Sequence, residues 1–198
     1  MAAGILTGAA TALLMAVPVV AAPAYGGTPG GGDLAVGKES RFAPVSKFDP
    51  SEAVTYDTKK VPAKARIVVA QWKNDHGMTI RLKVKGLQPH RTYGSHVHTK
   101  PCGQKPDDSG PHYQNRKDPR QPSTDPKYAN PENEVWLDFT TDVDGDASMS
   151  SKHAWWFRQG EARSVVIHDH KTHTGHGHAG MAGDRLGCLT VPFKHAAK

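Results

Sequence analysis

Residues 78–85 alternate apolar and polar side chains without a break, and this pattern constrains the fold more than any other feature. Successive side chains of a strand point to opposite faces, so the alternation predicts a half-buried strand. The β-branched segment at 65–70 predicts a strand before it, with a turn at 74–77. Further strands are predicted at 135–140, 147–150, 163–168 and 186–191, with a hairpin turn at Asp144-Gly145.

No segment keeps a helical period over three turns. Short strands with Gly- and Pro-rich connections predict an all-β fold, a Greek-key antiparallel barrel or sandwich of about eight strands. The 198 residues suit one domain. Two long connections, 99–133 and 169–184, are expected to be functional loops, because long structureless loops in compact domains usually are.

The first 24 residues carry no charge, contain an apolar run and end on Ala22-Pro23-Ala24, which fits the A-x-A cleavage pattern. Residues 1–24 are therefore predicted to be a signal peptide, which makes the protein secreted or located in the cell envelope or periplasm. The alternative is an N-terminal anchor that stays attached. Residues 25–39 are Gly-rich and predict a flexible linker, which leaves 40–198 as the folded domain.

The only two cysteines are Cys102 and Cys188. In an exported protein an even count favours a disulfide, and a loop of this length gives about 4–5 kcal/mol in the chain-entropy model. The alternative is two buried free thiols.

The net charge of +6 is spread along the chain without Lys/Arg blocks or interleaved aromatic residues. Nucleic acid is therefore not an expected partner, whereas small anions or an anionic cell surface are. The sequence carries no signal for an oligomeric state.

Four of the twelve histidines lie where strands and loops can bring them together. His96 and His98 stand at i and i+2 near the end of a predicted strand, so both imidazoles lie on one face. His112 lies in the first long loop, and His168 ends another predicted strand. Four imidazoles from separate elements suit Cu(II), which prefers nitrogen donors in a tetragonal arrangement. The alternative is four surface or core histidines with backbone partners.

The segment Gly94-Ser95-His96-Val97-His98 resembles the G-x-H-V-H signature of the copper/zinc superoxide dismutases. Other segments are similar to that family in the same order, over roughly 52–192: Val84-Lys85-Gly86-Leu87, Gly110-Pro111-His112, Asp142-Val143-Asp144-Gly145, Val166-Ile167-His168 and Gly183-Asp184-Arg185-Leu186-Gly187-Cys188. The resemblance implies a β-barrel enzyme that converts superoxide to O₂ and H₂O₂ by redox cycling of copper.

Carried over by residue, the resemblance makes His96, His98, His112 and His168 the ligands of one copper ion per chain. His112 becomes the proton-carrying ligand, and Cys102 and Cys188 become the disulfide that ties the metal-site loop to the barrel. Arg185 becomes the cation that guides superoxide, a role that suits a side chain charged at any working pH. The alternative for Arg185 is a structural residue that binds a loop.

The resemblance breaks at the zinc site. No histidine lies between His112 and Trp136, and Thr172 stands where the family has an aspartate that links its two metal sites. Zinc is therefore not expected at the usual family position, and a copper-only member is predicted. Among the carboxylates of this loop, Asp118, Asp125, Glu132 and Glu134, either Glu132 or Glu134 is hypothesised to accept the second N–H of a copper-bound histidine.

The second long loop carries four more histidines, His170, His173, His176 and His178. They are either a secondary site that catches metal or part of a solvated polar loop. The rival function is an exported copper-binding or buffering protein with this fold and little catalysis. The histidine-rich loop favours that rival, whereas Arg185 beside Cys188 favours the enzyme.

Overall fold

The computed structural model describes residue 1 and residues 32–195. Within them the chain forms strands and one short 3-10 helix, Pro106–Ser109, and no α-helix. The strands are β1 (Asp33–Arg41), β2 (Ala43–Pro44), β3 (Ala53–Thr55), β4 (Arg66–Asn74), β5 (Gly77–Lys85), β6 (Thr92–His98), β7 (Phe139–Thr140), β8 (Ala147–His153), β9 (Ser164–His168) and β10 (Arg185–Thr190).

The strands form two sheets, one of four strands in the order β1-β4-β5-β8 and one of six in the order β2-β3-β10-β9-β6-β7. All pairings are antiparallel except that of β2 with β3. The two sheets form a sandwich, which confirms the predicted all-β class. The alternation at 78–85 becomes β5, which pairs with β4 and β8 on its two sides.

The core lies between the sheets and takes alternate residues from each strand. Ile67, Ile80 and Leu82 of the four-stranded sheet are at most 1% exposed, as are Val97 and Ile167 of the six-stranded sheet. Since neighbouring side chains of a strand point to opposite faces, the residues beside Val97 and Ile167 lie on the outer face of the six-stranded sheet. That face carries the functional residues described below.

The predicted linker is wrong in its second half. Residues 33–39 belong to β1, which pairs with β4 over its whole length, so the folded domain begins near residue 33 rather than 40. The sequence gives little sign of β1, because it is an edge strand and Val36 is its only buried residue. The predicted signal peptide and the rest of the linker lie outside the described residues, apart from residues 1 and 32.

The predicted strand at 135–140 is only partly regular. Val135, Leu137 and Phe139 are buried as the alternation indicates, yet only Phe139–Thr140 forms a strand. The preceding residues follow β6 through an isolated bridge between His96 and Trp136. The turn at Asp144-Gly145 forms but joins β7 of one sheet to β8 of the other, so it is not a hairpin turn. In the described part of the chain, no helix has the length and apolar character needed to span a membrane.

Candidate metal centre

The outer face of the six-stranded sheet brings together the four histidines singled out in the sequence. His96 and His98 come from β6, and His168 ends the neighbouring β9. His112 reaches them from the first long loop, which follows β6 through an isolated bridge between His98 and His112. One ring nitrogen of each histidine lies within 4.8 Å of the corresponding nitrogen of every other.

His98 and His168 direct two lone pairs at each other. Nδ1 of His98 donates to the carbonyl oxygen of Gly110 (2.8 Å), and Nδ1 of His168 donates to that of Gly183 (3.2 Å). With the protons on Nδ1, both Nε2 atoms are acceptors, and they lie 3.2 Å apart. Two buried acceptors at this distance need a cation between them.

His96 is hydrogen-bonded through Nε2, whereas His98 and His168 are hydrogen-bonded through Nδ1. Its Nε2 lies 2.7 Å from Oγ1 of Thr172, and that hydroxyl donates to a carboxylate oxygen of Asp138 at 2.7 Å. The hydroxyl therefore accepts the Nε2–H of His96, which leaves the lone pair on Nδ1. Nδ1 of His96 is buried and has no hydrogen-bond partner in the described chain. An unpartnered buried acceptor is costly, and a metal ion would satisfy it.

His112 is held by a buried carboxylate. Nδ1 of His112 donates to Oε2 of Glu134 (2.8 Å), whose side chain is 2% exposed. The indole Nε1 of Trp136 donates to the same oxygen (2.8 Å), and Nε2 of Gln114 donates to Oε1 (2.8 Å). Because Nδ1 of His112 carries the proton and donates it to Glu134 in this hydrogen bond, Nε2 keeps its lone pair for the cluster.

Burial keeps three of these imidazoles neutral. Desolvation lowers the pKa of His96 and of His98 well below the ordinary value, and the neighbouring histidines lower both further. Desolvation is also the main cause that lowers the pKa of His168 to about 3. Neutral imidazole is the form that binds metals, so these three ligands are ready at any ordinary pH.

The donor set fits a copper ion. Four nitrogen lone pairs converge, three from Nε2 atoms and one from Nδ1 of His96, with no sulfur or carboxylate oxygen among them. Imidazole nitrogens suit Cu, Zn, Fe and Ni, and Cu(II) binds most tightly in the divalent series. Each outer nitrogen has its own protein acceptor, which is the usual arrangement behind metal-binding histidines.

Arg185 begins β10 and pairs through its backbone with His168. Its side chain, 20% exposed, donates from Nη1 to the carbonyl oxygen of Pro106 (3.1 Å) and to Oγ of Ser109 (2.9 Å). Burial lowers the pKa of Arg185, while Asp107 raises it. The residue lines a cavity of about 480 Å³ together with Tyr56, Lys60 and Asp107. It therefore binds a loop and also carries a charge beside the cluster.

The other carboxylates of the first long loop have different roles. Asp118 accepts from the backbone of Arg120 and the hydroxyl of Ser123, and Asp125 accepts from the backbone of Lys127. Of the two glutamates hypothesised to orient a ligand, Glu134 makes the contact and Glu132 is exposed. Cys102 and Cys188 form a disulfide, so the alternative of free thiols is wrong.

The four histidines of the second long loop are exposed. The rings of His170 and His173 lie 5.0 Å apart and those of His173 and His178 lie 6.5 Å apart. Across residues 32–195, the only group of three or more candidate ligand atoms in close range is the buried cluster.

Two functional residues escaped the sequence reasoning. Asp138 accepts from both the backbone N–H (2.8 Å) and the hydroxyl of Thr172, and so positions the group that holds His96. Thr172 itself stood out only as a departure from a family pattern. The available signal was the carboxylate of Asp138 between the apolar residues Leu137 and Phe139, which places it on the outer face.

The family model described as "Copper/zinc superoxide dismutase (SODC)" matches residues 63–191. Two solved structures share the fold at 16% sequence identity and a TM-score of 0.50. One is a Cu/Zn superoxide dismutase from Brucella abortus, matched over 79% of this chain and 99% of that one. The other is a double mutant of a SOD-like protein from Bacillus subtilis, matched over 71% and 96%. No curated protein matches the sequence.

Proposed function

The chain belongs to the copper/zinc superoxide dismutase family, and from that premise we propose that it is an exported, copper-dependent superoxide dismutase. The observation that carries the proposal is the convergence of four imidazole lone pairs beside Arg185. When bound, copper supplies the one-electron oxidation of one superoxide to O₂ and the one-electron reduction of a second, which takes two protons, to H₂O₂.

The residues of the chain bind and position the reactants. His96, His98 and His168 hold the ion from the floor of the site, since all three are buried. Arg185 attracts the superoxide anion, because a fixed positive charge beside a cleft raises the capture rate of small anions. The cavity that Arg185 lines gives a small anion room beside it.

His112 is the proton carrier of the proposal. Its side chain is 18% exposed, whereas the other three imidazoles are buried, so His112 is the ligand through which a proton can be passed between solvent and the site. While Nε2 takes or gives a proton, Nδ1–H keeps donating to the carboxylate of Glu134. Glu134 therefore keeps the ring in place through both protonation states.

We also propose that the site holds copper alone. Nδ1 of His112, the nitrogen that would face a second metal, is occupied by Glu134. The carboxylates of Asp118 and Asp125 accept hydrogen bonds from other parts of their own loop. Export is supported by the disulfide, because disulfides persist in oxidising compartments.

A copper-buffering protein is the second candidate, favoured by the exposed histidines of the second long loop. Replacing Arg185 distinguishes the two functions, because a dismutase needs a positive charge near the metal to attract superoxide and a carrier does not. The test is superoxide decay, by pulse radiolysis or stopped flow, on copper-loaded wild type and on Arg185→Lys, Arg185→Ala and Arg185→Glu. Arg41→Glu, on the other sheet, makes the same change in net charge and is the control.

For a dismutase, Arg185→Glu lowers the rate by about tenfold or more, Arg185→Ala by less, and Arg185→Lys and Arg41→Glu by little. The wild-type rate also falls as salt rises, since screening weakens attraction beyond about 10 Å at 0.1 M ionic strength. If copper-loaded wild type, with a chelator present to remove free copper, clears superoxide no faster than the metal-free protein, the carrier is the function. A fast wild type with an equally fast Arg185→Glu variant makes Arg185 a structural residue.

A further inference from the structure

The second long loop is folded back on itself by backbone hydrogen bonds. The N–H of His170 donates to Ala182 (3.0 Å), that of His173 to Met181 (2.8 Å), and that of Gly180 to His173 (2.9 Å). At the tip, the N–H of His178 donates to Gly175 (3.1 Å). These hydrogen bonds join the two arms of the loop, so the backbone positions of its histidines are defined.

Three of its four imidazoles are neighbours, with His173 next to both of the others. The ring of His173 is 5.0 Å from that of His170 and 6.5 Å from that of His178. Gly177 and Gly180 make this possible, because both have positive φ (75° and 80°), which turns the chain and returns His178 towards His173. His176, at the tip, makes no ring contact with another imidazole in the part of the chain that the structure describes.

His170 has the hydrogen bonding of a metal ligand. Its Nδ1 donates to the carbonyl oxygen of Lys171 (3.0 Å), so the lone pair lies on Nε2. A backbone carbonyl on the second nitrogen is a common support for a metal-binding histidine. Gly183 lets this ring pack closely against the backbone, since a Cβ at that position would lie 2.7 Å from Nε2.

We propose that His170, His173 and His178 form a second, solvent-exposed site for Cu(II). The His170–His173 and His173–His178 separations suit imidazoles that share one ion, and because all three side chains are exposed, they can rotate to bring their nitrogens together. The donors are all imidazole nitrogens, and among divalent ions such a set binds Cu(II) most tightly. The surface site is weaker than the buried one and exchanges its ion faster, because it offers three exposed ligands instead of four mostly buried ones.

The test is a count of Cu(II) bound by the full chain, by isothermal titration with electron paramagnetic resonance of each equivalent. Wild type is expected to bind two ions, the second more weakly. The double variant His173→Ala/His178→Ala is expected to lose the weak ion, and His96→Ala/His98→Ala the strong one. The two sites are thus counted separately, and neither count depends on activity towards superoxide.

Single variants test whether His170, His173 and His178 each contribute to binding the second ion. His170→Ala, His173→Ala and His178→Ala should each weaken the second ion by roughly tenfold or more, comparable to or above the loss of an outer partner of a ligand. His176→Ala, in the same loop, and His76→Ala, exposed in the turn between β4 and β5, should leave it unchanged. Retention of the strong ion shows that each variant is folded. Binding of a single ion by wild type overturns the proposal, and so does a His176→Ala variant as weak as His173→Ala.

Discussion

Replacing Glu134 by Gln tests whether a protein carboxylate supports His112, one of the four proposed copper ligands. Oε2 of Glu134 accepts from both His112 and Trp136, so the amide oxygen of a glutamine will stay at that position. The amide nitrogen then faces Nε2 of Gln114, and two donors meet at 2.8 Å. Turning Gln114 over gives no relief, because its Oε1 already accepts from the backbone N–H of Asp118 (2.9 Å).

The expected cost follows from this arrangement. A buried donor left without a partner destabilises the fold by about 1–3 kcal/mol. For a domain of this size each kcal/mol lowers the melting temperature by about 2–4 °C. Removal of the partner behind a ligand also weakens metal binding by about 10–100-fold. The first effect is measured by thermal unfolding of metal-free protein and the second by competition with a copper chelator.

Glu132→Gln is the matched control, since the same charge is removed two residues away from an exposed side chain. It should unfold at the wild-type temperature and compete for copper as the wild type does. Equal behaviour of the two variants would refute the role given to Glu134. A loss of stability in Glu134→Gln with full copper affinity would leave it a structural residue.

Three further outcomes are expected. Burial lowers the pKa of His153 to about 4, so the free energy of unfolding should fall by about 3 kcal/mol between pH 6.5 and 4, where the unfolded chain binds a proton that buried His153 does not. In urea unfolding, the stability of His153→Gln should fall less steeply over that range, and stability curves parallel to those of the wild type would contradict this. Reduction of the Cys102–Cys188 disulfide, which joins residues 86 apart, should lower the free energy of unfolding by about 4–5 kcal/mol in guanidinium titrations, and an unchanged midpoint would refute this. His98→Ala should retain almost no copper in elemental analysis after dialysis against a chelator, and full retention would exclude His98 as a ligand.

The longer strands with a face buried against the core were predictable, whereas the three-residue strand β3, buried throughout, is too short to show a pattern and was not predicted. Strands β5 and β9 appear as alternating or β-branched runs because burial alone selects their residues. Strand β1 was missed because an edge strand with one buried residue leaves little pattern. At 135–140 the alternation reported burial correctly, but burial does not require a regular ladder, and here most of the segment pairs irregularly with β6.

Two of the four candidate ligands were predictable from their spacing, the full set followed from the resemblance to the family, and most of the residues that support the ligands were not predictable. His96 and His98 are two residues apart on a strand, and that spacing alone places them on one face. Asp138 and Thr172 are 34 residues apart and meet only through the packing of a loop on the sheet. The sequence suggested that one of two glutamates supports a ligand histidine, and the fold shows that the buried Glu134, not the exposed Glu132, makes this contact, to His112.

A copper carrier and a dismutase place opposite demands on a site. The exposed histidines of the second long loop suit a carrier, and the buried cluster suits a catalyst. A carrier must release its ion, which favours exposed ligands on a surface loop, as at His173 and His178. A catalyst must keep its ion through many turnovers, which favours ligands that are already oriented and neutral before the ion arrives. His96, His98 and His168 meet that condition, since burial keeps them neutral and protein acceptors fix their outer nitrogens. Only His112 combines such a fixed nitrogen with a partly exposed side chain, and for that reason the proposed role of proton carrier falls to the ligand that Glu134 holds in place.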